Sequence, residues 1–446
     1  MLIAEIFHHR GTETQRKRTA RDARRIFFSV PLCLCGSILL LAACQTVPQQ
    51  PVAGQPITAK QEQRFEEWVA AFRADAAKAG IGEATLDRAL GDIHANPRVI
   101  ELDQSQPEFV KPVWEYLAQS VSDKRVADGR AKLAANRAML SKVAADYGVP
   151  SQVVVAFWGV ESNYGSNVGS INVFEALATL GWSNPKRDRF ARDELMAALR
   201  LADSGEIAPE RMVGSWAGAV GQTQFLPSSY LRAAVDYDGS GRRDLWASLP
   251  DVFASTANLL DSFGWRRGEP WGFEAKLPPN FDYELAEVDV RKPLAEWARL
   301  GVRRVDGAPL IGAGESAERG AAEASILLPA GHRGPAFVTL DNFRAFLKYN
   351  NATAYALSVG QLSDRIAGRG RVVASWPLAD LPLSRSDTIA LQTLLNTRGC
   401  GAGEPDGLVG PATRRAVRCF QKTIGETPDG YPTAALLDKL RNPPTG

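Results

Sequence analysis

Apolar positions recur at three- to four-residue spacing from about Gln61 onward, and this is the pattern of amphipathic helices. FEEWVAAFRADAAKAG (65–80) shows it first and stops at a glycine. LDRAL, VWEYLAQSV, DGRAKLAANRAMLSKVAADYG and VVVAFWGVE continue it through residue 161, so the first half of the chain is expected to be mostly helix. From 271 to 340 the texture changes. Prolines, glycines and short apolar runs such as FDYELAEVDV and AFVTL predict a few strands. Helical spacing returns in DNFRAFLKYN and AYALSVGQLSDRI. AGRGRVVASWPLADLP reads as a linker, and two further helices are expected in LSRSDTIALQTLLNTRG and GPATRRAVRCFQKTIG.

One run breaks this pattern. VVVAFWGV (153–160) is apolar on every side, yet it leads into a carboxylate, Glu161, and then into the polar, glycine-bearing stretch SNYGSNVG. A carboxyl group at the end of an apolar segment is disfavoured as the anion, so its proton is held to higher pH. Breaking a glycosidic bond needs such a group, an acid still protonated near neutrality that can protonate the leaving oxygen. The plainer reading, a capping or ion-paired glutamate, fits most glutamates at helix ends.

Composition narrows the class. At 446 residues, 45% hydrophobic and 23% charged, the chain is long enough for several domains and ordinary for a globular protein. Its net charge of +2 is unevenly spread. Residues 1–44 carry seven Lys/Arg against three Asp/Glu, and the remainder carries 45 against 47. No broad basic surface results, so nucleic acid is not an expected partner. The basic run RKRTARDARR precedes the apolar run IFFSVPLCLCGSILLLAA, as in a secretory signal. The run ends in LAAC (41–44), which resembles a bacterial lipobox. That resemblance implies cleavage before Cys44, acylation of Cys44 and, with Gln45 following, sorting to the outer membrane. A plain signal peptide or a single membrane helix is the alternative. Of the five cysteines, Cys33 and Cys35 fall in the removed segment. Cys400 and Cys419 remain, a pair expected to form a disulfide in an oxidising compartment.

Four ordered blocks carry a wider resemblance. The segment around Glu161 fits G-x-E-S-x-x-G. SWAGAVGQTQFLPSSY (215–230), DYDGSGRRDLW (236–246) with DVFASTANLLDSFGW, and NFRAFLKYNNATAYALSVG (342–360) follow in order. Together they resemble the B family of membrane-bound lytic murein transglycosylases. The resemblance implies a mainly α (α+β) chain, whose lysozyme-like helical catalytic domain over 61–365 carries a small strand-containing insertion. It implies Glu161 as acid and then base, with sugar contacts from Tyr116, Ser215, Gln224, Phe225, Tyr349, Asn350 and Tyr355. The loop with Gly165 and Gly169 is expected to let a sugar approach the backbone. An aromatic residue is common in the family after TAN, where this chain has Leu259. DYDGSGRRD begins like an EF-hand loop, with Asp236, Asp238 and Ser240 as oxygen ligands and glycine at the sixth position. Position twelve is Ala247, and the resemblance makes Asp251 the closing ligand of a structural Ca2+ site. No cofactor is expected to be required.

The order LQ…DG.xG..T..A...FQ…DG over 384–441 resembles the peptidoglycan-binding-domain-1 family, a three-helix module. In it Leu391, Leu395, Ala416, Val417 and Phe420 form the expected core stripe. Asp406-Gly407 and Asp429-Gly430 form its turns. A Cys400–Cys419 bridge would compensate for its thin core. The expected organisation is therefore a signal (1–43), a tether (44–60), the catalytic domain, a linker (366–383) and the module. The partners expected are peptidoglycan strands and the outer membrane, for a monomer in the periplasm. The leading expectation is cleavage of the β-1,4 bond after N-acetylmuramic acid with 1,6-anhydro ends. A hydrolytic muramidase, which would need a second acid, and a non-catalytic wall-binding lipoprotein are the alternatives.

Overall fold

The helix Ser151–Ser162 is buried along nearly its whole length, from Val153 to Gly159 and again at Glu161 and Ser162. An all-round apolar helix belongs at a domain centre. In the computed structural model, which describes residues 54–104, 111–312, 316–380 and 383–442, it lies against Thr353–Ile366, Asp123–Ala135, Arg137–Tyr147 and Leu249–Ser262. The described residues contain no helix long and apolar enough to cross a membrane. The signal segment and Cys44 lie outside the described residues.

Two cores share the helical domain. One surrounds the central helix, with Phe157, Trp158, Phe253, Phe343, Phe346 and Tyr355. The other joins Ala59–Lys78 to Val173–Ser183 and Asp188–Asp203 through Phe65, Phe72, Phe174 and Leu195. Local chemistry sets the boundaries. Thr58 and Gln61 form a reciprocal capping box at the first helix. The run 128–148 is divided in two at Asn136, whose backbone (φ −111, ψ 19) leaves the helical region.

Strands are few. β1 (Ile171–Asn172) pairs antiparallel with β2 (Val213–Gly214). A five-stranded sheet forms the insertion from β3 (Gly272–Lys276), β4 (Lys292–Pro293), β5 (Arg303–Arg304), β6 (Glu323–Leu327) and β7 (Ala336–Thr339), in the order β4-β6-β7-β3-β5. AFVTL supplies β7 as expected. FDYELAEVDV does not form a strand. It makes a 3-10 turn at Tyr283–Leu285, and Phe281, Tyr283, Leu285 and Val290 pack into the insertion's core around Trp297. The alternating apolar pattern was real, but it serves burial without pairing.

The module after the linker has three helices, Arg385–Thr397, Pro411–Thr423 and Ala434–Arg441. Leu391, Leu395, Ala416, Val417 and Phe420 all lie in its core. Cys400 and Cys419 are bridged, with 5.7 Å between Cα atoms. Closing a loop of this length stabilises such a module by about 3 kcal/mol in the chain-entropy account. The module rests on the insertion. Arg418 pairs with Glu287, Lys422 pairs with Glu284, and Asp429 Oδ2 accepts from His332 N at 2.9 Å. The linker is laid along the catalytic domain. Val373 N and Ala374 N both donate to Glu274 at 2.7 Å, Arg371 pairs with Asp123 at 2.6 Å, and Trp376 meets Trp114.

Candidate active site

Glu161 sits in the last turn of the central helix, which ends at once in three left-handed residues, Asn163 (φ 48), Tyr164 (φ 59) and Gly165 (φ 84). Each non-glycine residue in that region costs about 1–2 kcal/mol, so the turn needs support. Tyr164 supplies much of it. Its hydroxyl donates to Arg125 O at 2.7 Å, and its ring meets Trp158 edge to face. A Cβ at Gly129 or Gly159 would strike Tyr164. Ser162 Oγ accepts from Gly165 N at 3.0 Å. The helix therefore stops within one residue of Ser162, and Glu161 stays at the rim of a buried segment.

The second block is a tight hairpin with bridges Gly214–Val220 and Val220–Phe225. Gln222, which sequence reasoning passed over, ties three blocks together. Its Oε1 accepts from Trp158 Nε1 at 2.7 Å, its Nε2 donates to Trp246 O at 2.7 Å, and its N donates to Leu245 O. Gly165 and Gly169 serve this closure and do not open room for a sugar. A Cβ at Gly165 would meet Gln222 Oε1 at 2.2 Å, and one at Gly169 would meet Gly214 O at 2.1 Å. The space is filled by the protein itself.

Glu161 is 6% exposed, and burial pushes its carboxyl up to about 7. The largest opposing influence is a hydrogen bond from the Tyr355 hydroxyl to Glu161 Oε1. Tyr355 itself is buried and held well above its ordinary value, first by desolvation and then by the nearby Glu161 charge. Tyr349 stacks 6.5 Å from Tyr355, packs on Phe157 and Phe225, and donates to Thr223 O at 2.5 Å.

A cavity of about 190 Å³ opens beside this group. Glu161, Gln224, Phe225 and Tyr349 line its inner end, and Glu194, Ser228, Leu259, Phe263, Arg232 and Lys348 are also on its wall. Gln224 is held in the left-handed region (φ 51), its Nε2 donating to Val168 O and Gly221 O. Its buried Oε1 has no hydrogen-bond partner among the described residues, and neither has Thr223 Oγ1. Leu259 occupies the wall where an aromatic side chain was the family expectation. Other expected residues stand further back. Ser215 Oγ accepts from Ala217 N and Ala219 N and so closes the hairpin, while Asn350 Oδ1 accepts from Ala352 N. Tyr116 is buried behind Tyr355 and adds to its upward shift.

Glu194 was not foreseen as a cavity residue. Its oxygens accept from Ser228 N at 2.9 Å and Ser228 Oγ at 2.7 Å, capping the helix Pro227–Ala233, and burial pushes its carboxyl up. A sequence signal existed: Ala191, Glu194, Leu195, Ala198 and Ala202 form the buried stripe of their helix.

The acidic loop lies apart from the cavity wall. Carboxylate oxygens of Asp236, Asp238 and Asp251 come within 4.8 Å of one another. Asp251 is fully buried and accepts from Tyr237 N, Asp238 N and Asp244 N. Ser240 Oγ contacts Asp236 and Arg242 O.

The chain matches the transglycosylase SLT domain family over residues 64–364 and a peptidoglycan binding domain family over 384–440. SltB3 from Pseudomonas aeruginosa, solved in complex with NAG-anhNAM-pentapeptide, is 51% identical, with a TM-score of 0.80 over 85% of this chain and 99% of that one. The Escherichia coli lytic transglycosylase Slt35, solved in complex with calcium, is 26% identical, with a TM-score of 0.57 over 69% of this chain and 93% of that one. Membrane-bound lytic murein transglycosylase B of Escherichia coli K12 is 31% identical over 234 residues, which span 50% of this chain and 58% of that protein's length. With a buried glutamate at the end of its central helix and a family match across two thirds of its length, the chain belongs to the transglycosylase SLT domain family.

Proposed function

We propose that the protein is a lytic transglycosylase that cleaves the β-1,4 bond between N-acetylmuramic acid and N-acetylglucosamine and leaves 1,6-anhydromuramic ends. The observation that carries this reading is a buried carboxyl, held near 7, that accepts a hydrogen bond from a neutral phenol. Near neutral pH a large share of Glu161 carries the proton that the leaving oxygen needs. Once that proton is given up, the Tyr355 hydroxyl steadies the carboxylate, which then accepts the proton of the sugar's own 6-hydroxyl. The attack is intramolecular and needs no water. Gln224 Oε1 is a buried acceptor without a partner among the described residues, suited to an acetamido N–H or a sugar hydroxyl, since leaving it unpaired is costly. Tyr349 and Phe225 offer aromatic surface beside it. The wall ligand named for the SltB3 complex belongs to the same chemical class. Digestion of purified murein followed by mass determination tests the reading: anhydro ends are lighter than hydrolysed ends by one water. Products with only reducing ends would sink it.

One observation favours a second reading. Glu194 shares the cavity with Glu161, and a hydrolytic muramidase needs a second carboxylate. Both oxygens of Glu194 are already engaged by Ser228, which suits a helix cap better than a base. A Glu194→Gln variant that loses activity while keeping its melting temperature would support the hydrolase.

The reading extends to two further features. Asp236, Asp238 and Asp251 would hold a Ca2+ ion, with Ser240 at the rim. Clustered carboxylates with no cationic side chain paired to them among the described residues fit a hard divalent ion, which would relieve their repulsion and lock the loop. A rise in melting temperature with added calcium, absent in Asp251→Asn, is the expected result. The protein would act in the periplasm, held to the outer membrane through acylated Cys44. Cys44→Ala should move it to the soluble fraction.

A further inference from the structure

The cavity beside Glu161 is chemically lopsided. Its inner end holds the buried carboxyl, an amide and aromatic rings. Its wall also carries two cations, Arg232 and Lys348, gathered on one residue, Phe263. The Arg232 guanidinium lies 5.0 Å over the Phe263 ring, and Lys348 Nζ donates to Phe263 O at 2.6 Å. They come from different helices, Pro227–Ala233 and Asp341–Tyr349, and Lys348 directly precedes Tyr349 in the inner wall. Neither forms an ion pair with another described residue. That sets them apart from arginines elsewhere on the surface, such as Arg73, Arg88, Arg243 and Arg371, each paired with a carboxylate. Glu194, on the same wall, feels the charge of Arg232 without forming an ion pair with it, and its oxygens are bound by Ser228.

We infer that Arg232 and Lys348 form a carboxylate subsite, receiving an anionic group carried by the muramic acid of the bound strand. This rests on the murein reading of the cleft. Muramic acid differs from glucosamine in its lactyl ether, which ends in a carboxylate when bare and in a peptide with its own carboxylates when substituted. A cavity bounded at one end by a proton donor and carrying unpaired cations on its wall would distinguish the two sugars by charge. Charge-assisted bonds to guanidinium and ammonium are stronger than neutral ones and fix orientation. They would set which sugar of the alternating polymer presents its glycosidic oxygen to Glu161.

The test compares cleavage of native peptide-bearing strands, strands with every carboxylate converted to a primary amide, and peptide-free strands that keep the lactyl carboxylate. The wild-type enzyme is expected to prefer native over amidated strands in kcat/KM. The double variant Arg232→Gln with Lys348→Gln is expected to lose about tenfold of that preference, and Arg232→Lys with Lys348→Arg to retain it. Added salt should erode the preference. A preference that persists on peptide-free strands assigns the subsite to the lactyl group, and one that vanishes there assigns it to the peptide. Equal cleavage of native and amidated strands by the wild type, or an undiminished preference in the double glutamine variant, would overturn the inference. Product mass is read in the same digests. Anhydro ends without a charge preference would defeat the subsite alone, whereas reducing ends would defeat the reaction assignment.

Discussion

The cleft and the C-terminal module both bury glutamines, and Gln224 of the cleft is used in the opposite way to the module's pair. In the module, Gln392 donates through Nε2 to Asp406 Oδ1, Leu408 O and Thr413 Oγ1, each at 3.0 Å, and accepts from Gly407 N at 2.9 Å. Gln421 repeats the arrangement one helix later, donating to Asp429 Oδ1 and accepting from Gly430 N. The two LQ/FQ…DG signatures are thus two copies of one device, a helix glutamine that clamps an Asp-Gly turn. Every left-handed residue in the module is a glycine. In the cleft, Gln224 leaves its carbonyl unpaired, and Asn163, Tyr164 and Gln224 are the left-handed non-glycine residues of the described chain. The module is built for stability, while the cleft retains strain and open valences of the kind that accumulate at functional sites.

The largest expected effect lies on the cleft side. Glu161→Gln should lower murein cleavage on the order of 10³-fold or more, through loss of the proton donor, while folding is retained. The same variant should be more stable than the wild type in alkaline buffer. A carboxyl raised to about 7 in the fold from 4.5 binds more protons folded than unfolded. The stability it contributes is complete below about pH 4.5 and is lost as pH rises through about 7, a swing of about 3 kcal/mol. Chemical denaturation at pH 5 and pH 8.5 checks this. If the variant and wild type share one pH dependence, Glu161 is not the buried acid.

On the module side, Gln392→Ala should cost about 3 kcal/mol by stranding buried partners around the Asp406-Gly407 turn, read as early melting of the module with cleavage of small soluble fragments preserved. Retained melting would erase the contrast. A crossed pair sharpens it further. Gln224→Gly relieves left-handed strain of about 1 kcal/mol but strands Val168 O and Gly221 O, so it should lower the melting temperature less than Gln392→Ala does while reducing activity. Tyr355→Phe removes a hydrogen bond that favours the Glu161 anion, so the alkaline limb of the activity profile should move to higher pH. A shift to lower pH would reverse the role given to Tyr355.

How legible all this was depended on range. Glu161 could be read because its apolar surroundings, Val153 to Val160, are its neighbours in sequence. The module's core stripe and turns were legible for the same reason. Gln222, Glu194 and the pair Arg232 and Lys348 were not, since each acquires its role from partners 23 to 85 residues away, in elements that meet only in the fold. FDYELAEVDV and the two loop glycines show the converse. Their local signals were genuine, an alternating pattern and a need for small residues, but the packing that each signal served was tertiary.

The seating of the module on the insertion and the pinning of its linker have a mechanical consequence. A domain on a loose tether is a fishing line: it helps by keeping prey nearby, and its benefit varies with line length. Here Glu287, Glu284 and His332 hold the module on one side and Glu274 and Asp123 hold the linker on the other. Grip and blade are then two jaws of one caliper. What the grip conveys to the blade is a fixed angle and span along a periodic polymer, so lengthening the linker should matter little until those contacts are cut, after which the tool loses its gauge but keeps its edge.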